Sequence, residues 1–574
     1  MTTKNKSTFL LLLLFFLSCC TSKQTSSNEV RVRFPTDPES LNPINYQTSQ
    51  ALQILNLLFQ SLLTVDYADN TLKPMLVEGL PTITKQDSLT LFTYDLRKEA
   101  VWDDGSPVTA QDVAFTMKVM LCPLVNNENI RMRYEPVRDV KADPNNAKRL
   151  TIVCAGFSPD MMLLTGDFSI LPAATFDPKH LLAGFTIPQL ISHFDSLSKD
   201  ANIKAFADFF NDNRFTHNGT ALRGSGGYIL EDWKTGQSLK LTKKAHWWAE
   251  SLTIPYITAE PSQISFSIIP DNTTALLALK NDQIDVLDNI SVSDYARMQT
   301  DANIQARFAL LSPKTYDITL LGMNARLEKL ADRKTRQAIA MMLDVDNIIK
   351  ATEQGYAQRT VGMVSPHDTL HYNQAIVPYP YDLEKAAALL REAGWQQKNG
   401  HWQKEHRENI QPLTLNLQYR TGDPAMENLA LIFQESAKKL GIPVELQAEE
   451  GRLLLENRKT RSFELYLRKI GGNPFSFNYK SLFHTEAAGP NGRNDTNFGT
   501  AESDSLIEAI NQASDVQTKA NLIKRFQAVM HEECNVVFLY NPTLRLVVSK
   551  RFTNLKISGL LPGYDISSFK LGNL

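Results

Sequence analysis

Cysteine is scarce in this sequence, and its placement excludes two common ways of stabilising a fold. The chain of 574 residues contains five cysteines. Cys19 and Cys20 are adjacent near the amino terminus, and the other three are scattered: Cys122, Cys154 and Cys534. Three isolated cysteines provide neither a disulfide framework nor the paired spacing of a zinc site. One disulfide among them remains open, and the sequence does not say which pair would form it.

The sequence also lacks an excess of charge of either sign. Lys and Arg number 60 against 62 Asp and Glu, which gives a formal net charge of −2 at pH 7. Proteins that bind nucleic acid usually carry a basic field, so we expect no nucleic-acid partner. The hydrophobic share of 43% and the charged share of 21% are typical of a globular protein.

Residue patterns of the common enzyme and metal sites are missing as well. No Gly-x-Ser-x-Gly elbow for a nucleophilic serine is present. The run His531–Cys534 begins like a zinc-protease helix but lacks the second His four residues later. His367 and His371 have that spacing, but Pro366 favours a loop there. We therefore predict no enzyme activity, no metal site and no cofactor.

Only the amino terminus has a long apolar run. Lys4 and Lys6 precede the apolar stretch 9–17, which is too short for a permanent membrane span and is typical of a signal peptide. The sequence Leu-Ser-Cys-Cys at its end resembles a bacterial lipobox, so we expect lipidation at Cys20, with Cys19 as the alternative. An ordinary cleaved secretory signal also remains open. Residues 21–28 are polar and are predicted to form a flexible tether.

The most informative stretch is residues 91–120, which predicts a strand, a turn and a helix. Phe92, Tyr94 and Leu96 alternate with polar residues, as in a half-buried strand. The cluster Asp-Asp-Gly-Ser-Pro at 103–107 indicates a turn. Thr109, with an acid three residues later, is predicted to cap the helix that follows.

This stretch resembles the signature segment of the family 5 extracellular solute-binding proteins, the oligopeptide-, dipeptide- and nickel-binding receptors of ABC importers. The shared residues are Leu-Arg-Lys, Trp, Asp-Gly, Pro-Val-Thr-Ala and Asp-Val within 96–113. Further motifs of the family follow in the same order. They are a glycine turn at 224–228, the beginning of a helix at 332–339 with the sequence Asp-Arg-Lys-Thr-Arg-Gln-Ala-Ile, and Tyr-Asp-x-x-Lys-Ala at 381–386. The resemblance covers nearly all of the chain after residue 30.

The resemblance implies an α/β protein with the two-lobe periplasmic-binding-protein fold, type II and cluster C-like, with an extra subdomain inserted in the first lobe. Alternating strands and helices independently favour α/β architecture. The expected divisions are a signal peptide at 1–20, a tether at 21–28, first-lobe segments at 29–66, 220–290 and 541–574, the inserted subdomain at 67–219, and the second lobe at 291–540.

The resemblance places the ligand between the lobes, but the chain departs from the peptide-binding members there. Those members carry Trp and Asp before a Pro-x-x-Phe turn, whereas this chain has Ile470 at the Trp position and no Asp. Either another acid replaces it, or the ligand has no free amine at that point. The candidate ligand-binding residues are Tyr46, Gln47, Thr48, Tyr134, Arg458, Arg468, Lys469, Ile470, Gly471, Gly472, Asn473, Tyr540 and Asn541.

The resemblance therefore predicts a membrane-anchored substrate-binding protein of an ABC importer. It would bind peptides between its lobes and deliver them to permease subunits as a monomer at the cell envelope, facing the periplasm or the exterior. The alternative is a sensor or receptor of the same fold for a non-peptide solute, such as an anionic small molecule or a metal complex. Arg468 and Lys469 would suit a carboxylate- or phosphate-bearing ligand.

Overall fold

The computed structural model describes residues 28–158, 160–406, 409–475, 479–489, 492–513 and 515–572. The predicted signal peptide and both candidate lipidation sites, Cys19 and Cys20, lie outside these residues. In the described residues, no helix is both long enough and apolar enough to span a membrane.

Seven strands and nine helices lie between residues 29 and 217 of the described chain. In chain order they are β1 (Glu29–Phe34), α1 (Ser49–Leu58), β2 (Leu63–Asp66), β3 (Thr71–Pro74), β4 (Thr82–Gln86), β5 (Leu89–Asp95), α2 (Ala110–Leu121), α3 (Glu128–Arg133), β6 (Val137–Asp143), β7 (Asn146–Ala155), α4 (Met161–Gly166), α5 (Ala173–Phe176), α6 (Ile187–Ser192), α7 (Phe194–Leu197), α8 (Ala201–Phe210) and α9 (Arg214–His217).

The next stretch adds most of the first large sheet. Its elements are β8 (Tyr228–Lys234), β9 (Ser238–Lys243), β10 (Gln263–Ile268), α10 (Asn272–Lys280), β11 (Val286–Leu287), α11 (Val292–Met298), α12 (Ala302–Arg307) and β12 (Phe308–Leu311). The chain returns to this sheet near its end with β22 (Leu546–Ser549), followed by the short pair β23 (Phe552–Thr553) and β24 (Lys570–Leu571).

Between these parts the chain forms a second large sheet and its helices. The elements are β13 (Ile318–Met323), α13 (Glu328–Ala331), α14 (Arg333–Met341), α15 (Val345–Glu353), β14 (Ala357–Arg359), α16 (Leu383–Glu392), β15 (Gln396–Lys398), β16 (His401–His406), β17 (Asn409–Pro412), β18 (Leu415–Arg420), α17 (Pro424–Lys439), β19 (Val444–Glu449), α18 (Gly451–Thr460), β20 (Leu465–Ile470), α19 (Lys480–Phe483), α20 (Ala501–Gln512), α21 (Val516–Glu533) and β21 (Val536–Pro542).

The two large sheets are both mixed. The first has the order β12-β22-β11-β1-β10-β9-β8, and β1 runs parallel to β10 and β11. The second has the order β14-β21-β13-β20-β18-β19, and β18 runs parallel to β19 and β20. The chain passes between the sheets at 312–317 and again at 543–545. The first passage comes after β12, which belongs to the first sheet, and so lies later than the expected boundary at residue 291.

The segment 91–120 contributes β5 to a smaller antiparallel sheet, β4-β5-β7-β6, and also forms α2, which packs beside that sheet. As predicted, Thr109 begins α2: its backbone N–H and its hydroxyl both donate to the Asp112 carboxylate, at 2.8 and 2.9 Å. Apolar residues of this sheet, such as Phe92, share one core with first-sheet residues such as Val32. The inserted sheet is therefore packed firmly on the first lobe.

Separate cores cover the two faces of the second sheet, one around Leu321 and Leu467 and the other around Leu320 and Tyr466. The three cysteines of the described chain, Cys122, Cys154 and Cys534, are free and buried. Burial raises the pKa of each thiol to about 12, so the thiols are protonated at neutral pH.

Candidate functional site

Two short crossing segments, 312–317 and 543–545, join the lobes and are hydrogen-bonded to each other. The Leu544 N–H donates to the Pro313 carbonyl at 2.9 Å, and the Thr315 hydroxyl donates to the Pro542 carbonyl at 2.6 Å. Lys314 and Thr543 form an isolated β-bridge. Such a pair of strands has the geometry of a hinge, because few residues need to change conformation when the lobes move.

A buried ion pair adjoins this hinge. Arg545 donates to Glu353 of α15 at 3.3 Å and to the Ile290 carbonyl, which follows β11 of the first sheet, at 2.7 Å. The Glu353 side chain is only 5% exposed. Burial raises its pKa, although Arg545 and, more weakly, Lys469 oppose this shift. Arg545 thus contacts both lobes at the point where they are joined.

The strand order determines where a ligand could bind. In the first sheet the carboxyl ends of the parallel strands β1, β10 and β11 lie on the same side as the end of β12 and the start of β22. The crossing segments are attached at this side, which forms the edge of the sheet that faces the other lobe. In the second sheet β18, β19 and β20 end at the edge where Ile470 pairs with Ile318, directly after the first crossing. Ligands of open α/β sheets bind beyond the carboxyl ends of parallel strands. The gap between these two edges is therefore the candidate ligand cleft.

Gly471 and Gly472 lie at the end of β20 against the first crossing segment. A Cβ atom on Gly472 would clash with the Tyr316 carbonyl oxygen, whereas one on Gly471 would meet nothing closer than Asp317 Oδ1 at 3.8 Å. The Asn541 side chain donates to the Asp317 carbonyl at 2.8 Å and so fixes this segment from the other crossing. Only glycine at position 472 allows so close an approach.

A cluster of positive charge surrounds Arg468, the fourth residue of β20. Arg458 forms an ion pair with Asp495 at 2.6 Å, and Tyr466 donates to the same carboxylate at 3.0 Å. The Arg468 side chain is half-buried and has no hydrogen bond or ion pair with any described residue. Burial lowers its pKa, and so do the charges of Arg458 and Arg493. The basic cluster therefore contains four arginines and one carboxylate, that of Asp495. The four arginines are Arg458, Arg461, Arg468 and Arg493.

The predicted residues that follow β1 support the start of α1. Thr48 begins the helix and accepts from the Ala51 N–H at 3.3 Å. The Glu39 carboxylate accepts from the backbone N–H of the exposed Gln47 and from Thr48. Tyr46 is half-buried against the first core, and burial raises its pKa. These contacts give all three residues a structural role at the mouth of the first lobe.

Four of the predicted ligand-binding residues are buried in this structure. Tyr134 is 1% exposed and packs edge-to-face on Phe168, with ring centroids 5.7 Å apart. Tyr540 is fully buried, and Ile470 belongs to the core around Tyr466. Asn541 is also buried, with its amide used on the Asp317 carbonyl as described above.

The remaining predicted residues lie at the cleft edge of the second sheet. Lys469 is exposed, and its charge acts to lower the pKa of Asp317 and Glu353. Asn473 is exposed, and its side-chain oxygen accepts from the Phe475 N–H at 2.8 Å. With Arg468, Gly471 and Gly472, these residues form a continuous edge at 468–473.

Sequence reasoning missed Asp317, Glu353, Arg545 and Asp495. Asp317 directly precedes β13, so the available signal was its place at the crossing between lobes. Glu353 and Arg545 are 192 residues apart, and no local pattern connects them. In the described part of the chain, no group of three or more His, Cys, Asp or Glu is placed to hold a metal ion.

A separate cavity of about 560 Å³ lies between the inserted sheet and α19–α20. Seven of its eight lining residues have polar or charged side chains, namely Lys85, Ser158, Lys480, Ser481, Glu508, Asn511 and Gln512, and the eighth is Phe157. Lys480 and Glu508 form an ion pair across part of it at 2.7 Å. This cavity is a second gap between the inserted subdomain and the second lobe.

Comparisons with known proteins agree with this architecture. The family model described as bacterial extracellular solute-binding proteins, family 5 Middle, matches residues 71–489. The chain is 23% identical over 539 residues to the oligopeptide-binding protein AppA of Bacillus subtilis, covering 93% of this chain and 90% of that protein.

Two solved structures show the same fold. The structure of Bacillus subtilis AppA with a nonapeptide matches with a TM-score of 0.69 and 22% identity, covering 95% of this chain and 99% of that one. Brucella suis NikA with Fe(III)-EDTA matches with a TM-score of 0.73 and 19% identity, covering 95% and 100%. The predicted fold class, α/β and cluster C-like, is confirmed.

Proposed function

Since this chain belongs to the family 5 extracellular solute-binding proteins, we propose that it captures short peptides between its lobes and delivers them to the permease of an ABC importer. Members of the family bind solutes and are not enzymes, in agreement with the prediction from sequence. Delivery requires that the ligand bind the closed form more tightly than the open form, because only then does closure report occupancy to the permease.

The unpaired side chain of Arg468 is what supports a ligand with a carboxylate. A half-buried guanidinium without a protein partner is costly unless an anion pairs with it when the cleft closes. The planar guanidinium matches a carboxylate with two parallel hydrogen bonds. A peptide supplies such a group at its carboxyl terminus whatever its side chains are.

A non-peptide anion is the second candidate, because the basic cluster would accept it equally well. Brucella suis NikA, seen with Fe(III)-EDTA, has a ligand rich in carboxylates. Native mass spectrometry of the purified protein, before and after denaturation, separates the candidates. A ladder of released peptide masses supports the peptide proposal. A single non-peptide mass contradicts the peptide proposal. So does a protein that is purified without a ligand and binds no member of a random peptide library.

We further propose that lipid attached to Cys20 holds the mature protein at the membrane, since acyl chains add about 0.8 kcal/mol of membrane affinity per buried CH₂ group. Replacing Cys20 with Ser should release the protein into the soluble fraction, and Cys19→Ser is the matched control that should leave it membrane-bound. The opposite pattern would move the anchor to Cys19. Retention of the double variant Cys19→Ser/Cys20→Ser in the membrane would contradict a lipid anchor at either position.

A further inference from the structure

Asp317 is the acidic residue placed beside the glycine edge of the cleft. It ends the first crossing segment and precedes β13. Its backbone is fixed on both sides, because its N–H donates to the Thr315 hydroxyl at 3.3 Å and its carbonyl accepts from Asn541 at 2.8 Å. The position of the carboxylate is therefore determined by the hinge rather than by a flexible loop.

The Asp317 carboxylate is poorly compensated for its burial. It is half-buried, and no Lys, Arg or His of the described residues lies within ion-pair distance of it. Burial raises its pKa, while the charge of Lys469 and the Gly472 N–H act in the opposite direction. Closing the cleft would remove more water from this group. A partly buried carboxylate without a cation is unfavourable, and a bound cation offsets that cost.

The neighbouring residues leave room for a ligand group at this point. Gly471 has no side chain, and the nearest atom to its missing Cβ is Asp317 Oδ1 at 3.8 Å. Asn473 follows two residues later, but it is neutral and its side-chain oxygen already accepts from the Phe475 N–H. Asp317 thus places a negative charge next to the end of β20.

We propose that the Asp317 carboxylate binds the cationic end of the ligand, the α-ammonium group of a peptide. This inference rests on the proposed function, because it assigns a chemical group of the ligand to a residue of the same cleft. The cleft edge at 468–473 has arginine and lysine but no acidic residue. With Asp317 in this role, the acidic group of the cleft comes from the adjoining crossing segment.

The experiment uses two random tripeptide pools, one with free and one with acetylated amino termini, mixed in equal amounts and offered to the ligand-free protein. Native mass spectrometry then gives the ratio of the two pools retained. We expect the wild-type protein to favour the free-amine pool at least tenfold and Asp317→Asn to lose that preference. Asp346→Asn removes an exposed acid, 78% accessible and paired with Arg359, and should behave as wild type.

Asp317→Glu serves as the conservative variant and should retain a preference for the free-amine pool, which separates charge from folding. The proposal is overturned if the wild-type protein retains both pools equally, since peptides then bind without using their ammonium group. It is also overturned if Asp317→Asn keeps the full preference. Retention of neither pool contradicts the proposed peptide function itself, and the inference about Asp317 fails with it.

Discussion

The buried Asp285 carboxylate beside the first sheet is fully paired, whereas charged side chains at the cleft edge of the second sheet are incompletely paired. In the first sheet, Asp285 is 2% exposed and accepts from Arg31 at 2.9 Å and from Arg551 at 2.7 Å. This trio joins β1, the turn after β22 and the segment before β11. At the edge of the second sheet, Arg468 and Asp317 have no ion pair within the described chain. The contrast suggests that the first set stabilises the fold and the second set is reserved for a ligand.

The largest expected effect on stability is at Asp285. Burial alone would raise its pKa, but the hydrogen bonds from Arg31 and Arg551 outweigh burial and lower it. Replacing Asp285 with Asn should reduce the free energy of unfolding by about 3–5 kcal/mol, because two guanidinium groups lose their carboxylate. Urea denaturation at pH 7 measures this loss. Asp346→Asn, at an exposed ion pair, should cost less than about 0.5 kcal/mol.

The pH dependence of the Asp285 contribution follows from the sign of the shift. A lowered folded-state pKa stabilises the protein above the ordinary value of 3.8, and this stabilisation disappears as pH falls through the folded-state pKa. The stability difference between wild type and Asp285→Asn should therefore narrow in acid. A difference that stays constant from pH 7 to pH 3 would contradict the role of this carboxylate.

The second test concerns ligand binding at Arg468 and not the stability of the fold. Arg468→Gln should weaken binding of a carboxylate-bearing peptide by about 10- to 100-fold, as expected for loss of a charge-assisted hydrogen bond. Its free energy of unfolding should change by less than about 0.5 kcal/mol. Titration calorimetry with a peptide and with its carboxyl-terminal amide measures the effect, and the amide should bind both proteins alike.

Arg458→Gln is the matched variant within the same basic cluster. It leaves the buried Asp495 carboxylate without its ion pair and should cost about 1–3 kcal/mol of stability. Equal stability losses for Arg468→Gln and Arg458→Gln would erase the distinction between paired and unpaired arginines.

The third test concerns the glycine edge. Gly472→Ala should destabilise the protein by about 1–3 kcal/mol and weaken ligand binding, because the new methyl group clashes with the Tyr316 backbone. Gly471→Ala should be tolerated for folding, since no atom lies closer than 3.8 Å to its Cβ position. Thermal unfolding of the pair checks this. Equal melting temperatures for the two variants would argue against the close contact at position 472.

The smallest expected effect is at Glu353, whose pKa is raised by burial. A raised folded-state pKa favours the folded state below the ordinary value of 4.5, and this advantage is lost as pH rises through the folded-state pKa. Wild type should therefore lose stability relative to Glu353→Gln between pH 4 and pH 7. Urea denaturation at both values measures the difference, and an opposite sign would mean that Arg545 dominates this site.

Local features of the fold could be predicted from sequence, whereas most of the site could not. The β5 strand and the Thr109 cap depend on residues within a few positions of each other, and the structure confirms both. Tyr134 and Tyr540 were proposed from their place along the chain, but their burial depends on tertiary packing. The position of Asp317 next to Gly471 requires the pairing of β13 with β20, about 150 residues further along the chain.

Hydrogen–deuterium exchange with and without the retained peptide pool tests most directly whether the ligand binds between the two sheet edges. Amides protected by a ligand exchange more slowly where the backbone is covered or held closed. We expect slower exchange in 312–317 of the hinge and 465–473 of the second sheet, together with 35–48 of the first lobe. Protection confined to the cavity around Lys85 and Lys480, with these three segments unchanged, would contradict it.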